Sequence, residues 1–408
     1  MRILHISTRL ILGGSQENTV LSCEGQTRLG HDVHLAFGPI FGPEGSLFER
    51  ADSFRHSDSP HSEKRRIGMH EIPSMVREIS PLKDLRCYGA LKGLIRDLKP
   101  DIVHTHSSKA GILGRAAAWK AARRFAGQGH KLGVVHTIHG PPFHKFLPRR
   151  TNAIYIASER FAARRCHRIV SVADAMTEQF LAAGIGRPEQ YSTVYSGMEV
   201  ERYLSPVRPD GAPVTQESVR ESLGIAPLDF VIGTVARLAE LKGHDDLLDA
   251  LADDLRAHPN WKLLWVGDGW WRDRLLKRVA EMGLTAQVVT TGLVPSERVP
   301  EMIRAMDILV HPSYREGLPR TVPQALLGGV AVVANDVDGA REVCIEGQTG
   351  RLVPAGDRAA LRAAVRGMYD HPDERRAMAE RGRDLCRVRF SAQTMVDELE
   401  KVYARALA

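Results

Sequence analysis

Short apolar runs alternate with longer amphipathic stretches from the first residue of the chain, and the alternation starts afresh beyond a proline-rich break near residue 210. Apolar runs of four to six residues predict buried strands, and stretches with an apolar residue every third or fourth position predict helices; strictly alternated, the two predict βαβ units and parallel sheets. The first series predicts strands over residues 3–7, 33–37, 102–105, 133–138, 169–172 and 193–195, and helices over 15–29, 82–98, 110–125, 153–166 and 175–183. The second predicts strands over 230–234, 262–266, 287–290, 308–311, 331–334 and 350–353, and residues 375–406 read as strongly helical. Residues 39–81, rich in Gly, Pro, Ser, His and charge, carry no period. In a compact domain so long a stretch is a functional loop or a mixture of short elements that pattern alone does not separate.

Length agrees with this division, because 408 residues exceed what one ordinary core accommodates. Prolines 206, 209 and 213 mark a linker over residues 205–218. The expected architecture is α/β, with a doubly wound Rossmann-like domain over residues 1–204 and another over 219–385. The two are expected to face a central cleft at the carboxyl ends of their strands, where open parallel sheets bind ligands. Hydrophobic residues at 43% and charged ones at 26% are ordinary for a globular protein and exclude a disordered chain.

Five scattered cysteines, Cys23, Cys87, Cys166, Cys344 and Cys386, show no spacing for zinc or a redox pair and favour a reducing compartment. The chain opens directly on a strand, and no apolar run nears the roughly 20 residues that span a bilayer. The expectation is a cytoplasmic protein whose membrane contact, if any, is peripheral, on the inner face. Charge is uneven: residues 1–200 hold 28 Lys and Arg against 18 Asp and Glu, and the remainder holds 28 against 31. Basic clusters at Lys64-Arg65-Arg66, Arg123-Arg124, Arg149-Arg150 and Arg164-Arg165 suit an anionic membrane or a phosphorylated acceptor, or else a solvated basic face. They are not interleaved with aromatics, and no nucleic-acid module is present, so nucleic acid is not an expected partner.

Five places carry candidate chemistry. Gly13-Gly14 follows the first strand and opens a helix, a place where backbone can approach a phosphate, although such a turn is as readily structural. It is not the G-x-G-x-x-G dinucleotide fingerprint. Arg237 and Lys242 follow the first strand of the second series and could neutralise a diphosphate, Arg by a forked contact and Lys as a point charge, although an isolated pair of loop cations is more often simply solvated. His139 ends a strand of the first series, where a lone histidine is more often structural than catalytic. His104 and His106 share a strand face, but no carboxylate or cysteine stands at matching ligand spacing, so no metal is expected. The most informative stretch is 313–350: a strand end, the tight turn Glu316-Gly317-Leu318-Pro319, a helix whose first amides face that turn, then another apolar strand. It sets a carboxylate beside an anion site, which suits a sugar attached to a phosphate.

Taken in order, Gly13-Gly14, His139, the segment from Tyr195 to Tyr203, Arg237 with Lys242, and Glu316 to Gly350 resemble the family-4 retaining glycosyltransferases of the GT-B fold, in particular polysaccharide-assembly members. The resemblance covers nearly the whole chain. It implies a hexosyltransferase that moves a sugar from a nucleoside-diphosphate sugar to a saccharide or lipid-linked acceptor, with retention at the anomeric carbon and without metal or other cofactor. By resemblance Arg237 and Lys242 hold the diphosphate, and His139 and Glu316 position the donor sugar. Gly13, Gly14, Gly317, Leu318 and Thr321 lie along the sugar and diphosphate, Gly292 lies where backbone reads the base, and His106 and Lys109 line the acceptor side. The last segment, 386–408, would cross back to the first domain. The family's motif is Glu, seven residues, Glu, whose second carboxylate meets the ribose; here that position is Gln324, which keeps a carbonyl acceptor and loses the charge. Two other functions share the expected architecture: a nucleotide-sugar 2-epimerase, which needs no acceptor, and a non-catalytic nucleotide-sugar-binding protein, for which Gln324 is the motive.

Overall fold

The computed structural model describes residues 1–40, 45–57, 64–207 and 211–408. The chain forms two compact units, Met1–Met198 together with Ala392–Ala408, and Glu199–Ser391.

In the first unit seven strands, β1 (Arg2–Ser7), β2 (Asp32–Phe37), β3 (Gly68–Glu71), β4 (Ile102–His106), β5 (Gly133–Ile138), β6 (Arg168–Ser171) and β7 (Tyr191–Thr193), form a sheet in the order β3-β2-β1-β4-β5-β6-β7. Every neighbouring pair is parallel. Its helices are α1 (Gly14–Arg28), α2 (Phe48–Ser53), α3 (Pro81–Leu98), α4 (Ser108–Ala126), α5 (Arg149–Ala163) and α6 (Asp174–Ala182). The central strands are buried on both faces, as continuous apolar runs require. Successive residues turn to opposite sides. Leu4, Val103, Val134 and Ile169 pack with α3 and α4, whereas Ile3, Ile102, Val135 and Val170 pack with α1 and the chain's last helix.

The second unit holds α7 (Val200–Leu204), α8 (Gln216–Ser222), β8 (Phe230–Val235), α9 (His244–Ala257), β9 (Trp261–Val266), α10 (Arg272–Glu281), β10 (Val288–Gly292), α11 (Val299–Arg304), β11 (Ile308–His311), α12 (Thr321–Leu327), β12 (Ala331–Asn335), β13 (Gly350–Val353), α13 (Arg358–Asp370) and α14 (Pro372–Arg389). Its six strands run parallel in the order β10-β9-β8-β11-β12-β13. Ile232, Leu263, Trp265, Val310 and Val333 face a core closed by α9, α13 and α14.

The aperiodic stretch 39–81 proves to be mixed: α2 and the edge strand β3 lie in it, while 41–44 and 58–63 fall outside the described residues. α5 begins at Arg149 rather than 153, since Pro148 supplies an extended N-cap, and it ends at Ala163, short of 166. β7 ends at Thr193, so Tyr195 lies past the sheet. Of the expected linker, 208–210 are outside the described residues, and Val207 pairs with Pro213 in an isolated antiparallel bridge. The helical run 375–406 is two helices, α14 and α15 (Ala392–Leu407), parted at Phe390 and Ser391. Of these, α15 belongs to the first unit, and the Ala392 amide donates to the Met198 carbonyl at 2.9 Å.

Candidate functional site

In the second unit the winding reverses between β8 and β11, and such a switch point opens a crevice at the strands' carboxyl ends. The β8–α9 connection is bent by Leu241 (φ 65°) and Gly243 (φ 74°), both left-handed. A Cβ on Gly243 would lie 2.0 Å from the Pro312 carbonyl oxygen, so glycine is required there for approach as well as for conformation. The Leu241 carbonyl in turn accepts from the Tyr314 amide at 2.9 Å and the Ser313 hydroxyl at 3.1 Å. Clasping the two connections together brings Lys242 Nζ to 2.6 Å from Glu316 Oε1, although the residues are 74 positions apart.

His311, the last residue of β11, meets the same carboxylate oxygen through Nε2 at 3.2 Å and Thr321 Oγ1 through Nδ1 at 3.1 Å. The turn is pinned from β12 as well: the Glu316 amide donates to Asp338 Oδ2 at 2.6 Å, and the Gly339 amide to the Gly317 carbonyl at 3.2 Å. Asn335 Nδ2 donates to the Pro312 carbonyl at 2.8 Å. Asp338 is held at φ 47°, a cost that functional turns often carry. Burial alone would raise the Glu316 carboxyl, but the Lys242 ammonium and the His311 hydrogen bond outweigh it and hold the group well below the usual carboxylate range. The arrangement is a fixed carboxylate with a cation in contact, suited to accept hydroxyl hydrogen bonds beside an anion.

Arg237 lies on the same connection as Lys242, with its guanidinium 5.5 Å from the Trp270 ring centre. The Leu238 amide donates to the Asp268 carbonyl, and the Gly267 amide to the Gly292 carbonyl, each at 3.1 Å. Three connections, after β8, β9 and β10, are thereby laced at one end of the sheet. Gly292 has φ 66°. Leu318 and Gln324 are buried at 6% and 8% exposure, Gln324 one helical turn beyond Thr321 on α12. The structure thus joins Lys242 to Glu316 directly and Glu316 to Thr321 through His311, and links the connection that carries Arg237 to the one that carries Gly292 through the 267–269 turn. His311, Asn335 and Asp338 were not singled out from the sequence. The only signal for His311 was a polar residue closing an apolar strand.

In the first unit the reversal falls between β1 and β4. Gly13 is extended (φ −179°) and caps α1, and Gly14 is that helix's first residue, so neither is needed for a left-handed backbone. His139 follows β5 and is partly exposed, with Nε2 3.2 Å from His106 Nδ1. His106 itself is 1% exposed, so it stands behind His139 rather than on a binding surface. Lys109 is tethered to Asp84 Oδ1 of α3 at 2.6 Å and to the Glu78 carbonyl just before that helix. His104 joins His106 as expected, and His5 of β1 completes a trio whose ligand atoms lie within 4.8 Å of one another.

Residues 12–202 match the family Glycosyltransferase Family 4, and residues 215–385 match Glycosyl transferases group 1. Over 82% of the chain and 80% of the relative, the sequence is 31% identical to a 2-deoxystreptamine N-acetyl-D-glucosaminyltransferase of Streptomyces fradiae. The chain belongs to the family-4 glycosyltransferases. A second relative, the UDP-Gal:alpha-D-GlcNAc-diphosphoundecaprenol alpha-1,3-galactosyltransferase of Escherichia coli, is 29% identical over 83% of this chain and 80% of its own. Among solved structures, Anabaena HepE in complex with UDP-glucose superposes with a TM-score of 0.78 over 99% of both chains at 20% identity, a likeness of fold. The glycosyltransferase therefore has the two-domain α/β GT-B architecture. One match spans Gly13, Gly14, His106, Lys109 and His139, and the other spans Arg237 through Gln324.

Proposed function

We propose that this glycosyltransferase takes a sugar from a nucleoside diphosphate and passes it, with retention, to a saccharide or lipid-linked acceptor in the assembly of a cell-surface polysaccharide. The observation that carries the reading is the contact of Lys242 with Glu316, buttressed by His311 and placed with Arg237 where the second sheet reverses. Arg237 and Lys242 would neutralise the departing diphosphate, the part that most lowers the barrier when leaving-group charge develops in a preorganised site. With two cations in that role, no metal is required by the mechanism. Glu316 would accept hydroxyl hydrogen bonds from the sugar, with the backbone of Gly317, Leu318 and Thr321 alongside. Gln324 would accept from the ribose, and the turn at Gly292 would meet the base. In the first unit His139 would meet the sugar and Gly13-Gly14 the phosphate, with Lys109 on the acceptor side. Retention follows from a front-face displacement in which the leaving phosphate helps to deprotonate the acceptor, since Glu316 is committed to Lys242 and His311.

A lipid-linked acceptor would bring the enzyme to the inner face of a membrane. No helix among the described residues is long and apolar enough to cross one, so the contact in this reading is peripheral. The first unit carries exposed Ile79, Leu82 and Leu85 at the start of α3 and exposed Ile154 and Phe161 on α5, flanking a helix that bears Lys120, Arg123 and Arg124. Apolar side chains among cations are the composition that anionic lipid attracts.

The test is a thermal-shift panel of nucleoside diphosphates and their sugars, followed by NMR of the transferred linkage. Stabilisation by one nucleotide series, and a product that keeps the donor's anomeric configuration, are expected. An inverted product would refute retention, and no stabilisation by any member would refute the nucleotide-sugar reading.

A further inference from the structure

Behind His139 lies a file of buried groups that a glycosyl-transfer site does not by itself require. His139 Nε2 is 3.2 Å from His106 Nδ1, His106 Nε2 is 2.9 Å from His5 Nδ1, and His5 Nε2 is 2.7 Å from Gln26 Oε1. Gln26 Nε2 donates to the Tyr403 hydroxyl of α15 at 2.9 Å, and that hydroxyl is 2.6 Å from His104 Nδ1. His104 Nε2 closes the file on Thr137 Oγ1 at 2.6 Å. His5, His104, His106, Gln26 and Tyr403 are each 1% exposed or less.

The direction of every bond follows from the amide. Gln26 turns its NH2 to Tyr403, so it offers His5 only a carbonyl oxygen, which must accept. Burial lowers His5 to about 4 and takes His106 well below its usual value, so both rings are neutral and each carries one N–H. With its proton on Nε2, His5 presents a bare Nδ1, and His106 must donate from Nε2. His106 then presents a bare Nδ1, and His139 must donate from Nε2. An imidazole whose one nitrogen is committed in this way has its tautomer and ring plane set by its partner.

We propose that His106 is a positioning residue that fixes the tautomer of His139 to Nε2–H, with His5, Gln26 and Tyr403 setting the polarity behind it. The consequence for transfer rests on the role given to His139 above; the tautomer itself does not. The same three imidazoles could in geometry hold a transition metal, but His5 and His106 already use both ring nitrogens on each other, Gln26 and His139, and His104 uses both on Tyr403 and Thr137.

Two isosteres separate the halves of His106. His106→Asn keeps an acceptor at the position of Nδ1 and loses the arm to His5, whereas His106→Gln keeps a donor at the position of Nε2 and loses the acceptor facing His139. The full-length enzyme, selectively labelled with 15N-histidine, is read by the long-range imidazole spectrum, with His139→Ala assigning the signal. The His139 pattern should be that of an Nε2–H tautomer in wild type and His106→Asn, and a mixture in His106→Gln. In transfer, His106→Gln should lose about tenfold in kcat with donor KM within twofold, His106→Asn should stay within threefold, and His106→Gln with His139→Ala should be no worse than His139→Ala alone. Tyr403→Phe, distant and close to volume-conserving, should also mix the tautomer if the polarity is inherited along the file. An unaltered His139 tautomer in both His106→Gln and Tyr403→Phe would overturn the proposal, as would tightly bound zinc whose removal by chelator changes the His139 signal. A silent His139→Ala with the tautomer shifts intact would refute the role of His139 in transfer and leave the positioning standing.

Discussion

Removing Lys242 should harm the second unit more than the loss of a loop lysine ordinarily would, and removing the charge of Glu316 as well should mend part of the damage. At 2.6 Å, two unit charges attract by about 6 kcal/mol at an effective dielectric of about 20. Desolvation takes back most of this, and the side chains are 29% and 15% exposed, neither fully wet nor fully dry. Exposed pairs net about 0.2–1 kcal/mol, and stripping one partner from a buried pair costs about 3–5. Between these limits, Lys242→Ala should cost about 2 kcal/mol, because it leaves the Glu316 carboxylate with His311 and no cation in contact. Glu316→Gln should cost about 1 kcal/mol, and the double variant about the same, a coupling of roughly 2 kcal/mol. Urea denaturation followed by tryptophan emission suits the measurement, since Trp261, Trp265, Trp270 and Trp271 all lie in this unit. The sign with pH is fixed too. Glu316 titrates below its unfolded value of about 4.3, so its contribution is complete above that pH and is lost as pH falls beneath it. The coupling should therefore be flat from about pH 6 to 8 and shrink in acid. Turnover should fall about 100- to 1,000-fold in Lys242→Ala and should not recover in the double variant. Additive stability effects would refute the reasoning that this pair sets the charge of Glu316, and unchanged kinetics in a folded Lys242→Ala would remove the lysine from the mechanism.

Restoring the family's second carboxylate by Gln324→Glu should tighten donor binding by no more than roughly tenfold, the difference between a neutral and a charge-assisted hydrogen bond; a silent wild type with an active variant would show that transfer was lost at this position. Activity should persist in EDTA, because Arg237 and Lys242 already supply the positive charge, and full loss restored by a divalent ion would contradict that assignment. Liposomes rich in anionic lipid should co-sediment the enzyme at low ionic strength and release it in salt, and indifference to lipid charge would point to a soluble acceptor.

What the sequence made legible follows from how each feature arises. Buried parallel strands are largely apolar runs, so β1, β5 and β11 could be placed to within a residue. β3 could not, because a four-residue edge strand of Gly68, Met69, His70 and Glu71 has no alternation and little burial. In the candidate site, Glu316, Gly317 and Lys242 stood out through their motif, whereas His311 and Asp338 gain their meaning only when β8, β11 and β12 lie side by side. The resemblance likewise put His106 and Lys109 on the acceptor side. The register of β1 on β4 puts His5 opposite His104 and leaves His106 enclosed, and Asp84, 25 positions before Lys109, takes up its charge. Long-range partners of this kind leave no local period to read.

The hydrogen bond between Ala392 and Met198 has a consequence for the order in which the enzyme can fold. Met395, Val396, Leu399, Val402 and Tyr403 of α15 fill the side of the first sheet formed by Ile3, Ile102, Val135 and Val170. As the chain leaves the ribosome, residues 1–198 therefore emerge with one apolar face covered by α1 but not by α15, and the rest of it stays uncovered until Ala392–Ala408 have been made. The segment between, Glu199–Ser391, is in effect a complete domain inserted into another whose cut ends touch, and it can fold first although it is made second. Synthesised alone, residues 1–198 should aggregate, whereas the same residues joined by a short Gly-Ser bridge to Ala392–Ala408 should yield a soluble unit. The histidine file, anchored on Tyr403, would be assembled only in the second of these products, so the chemistry of the first domain waits on α15.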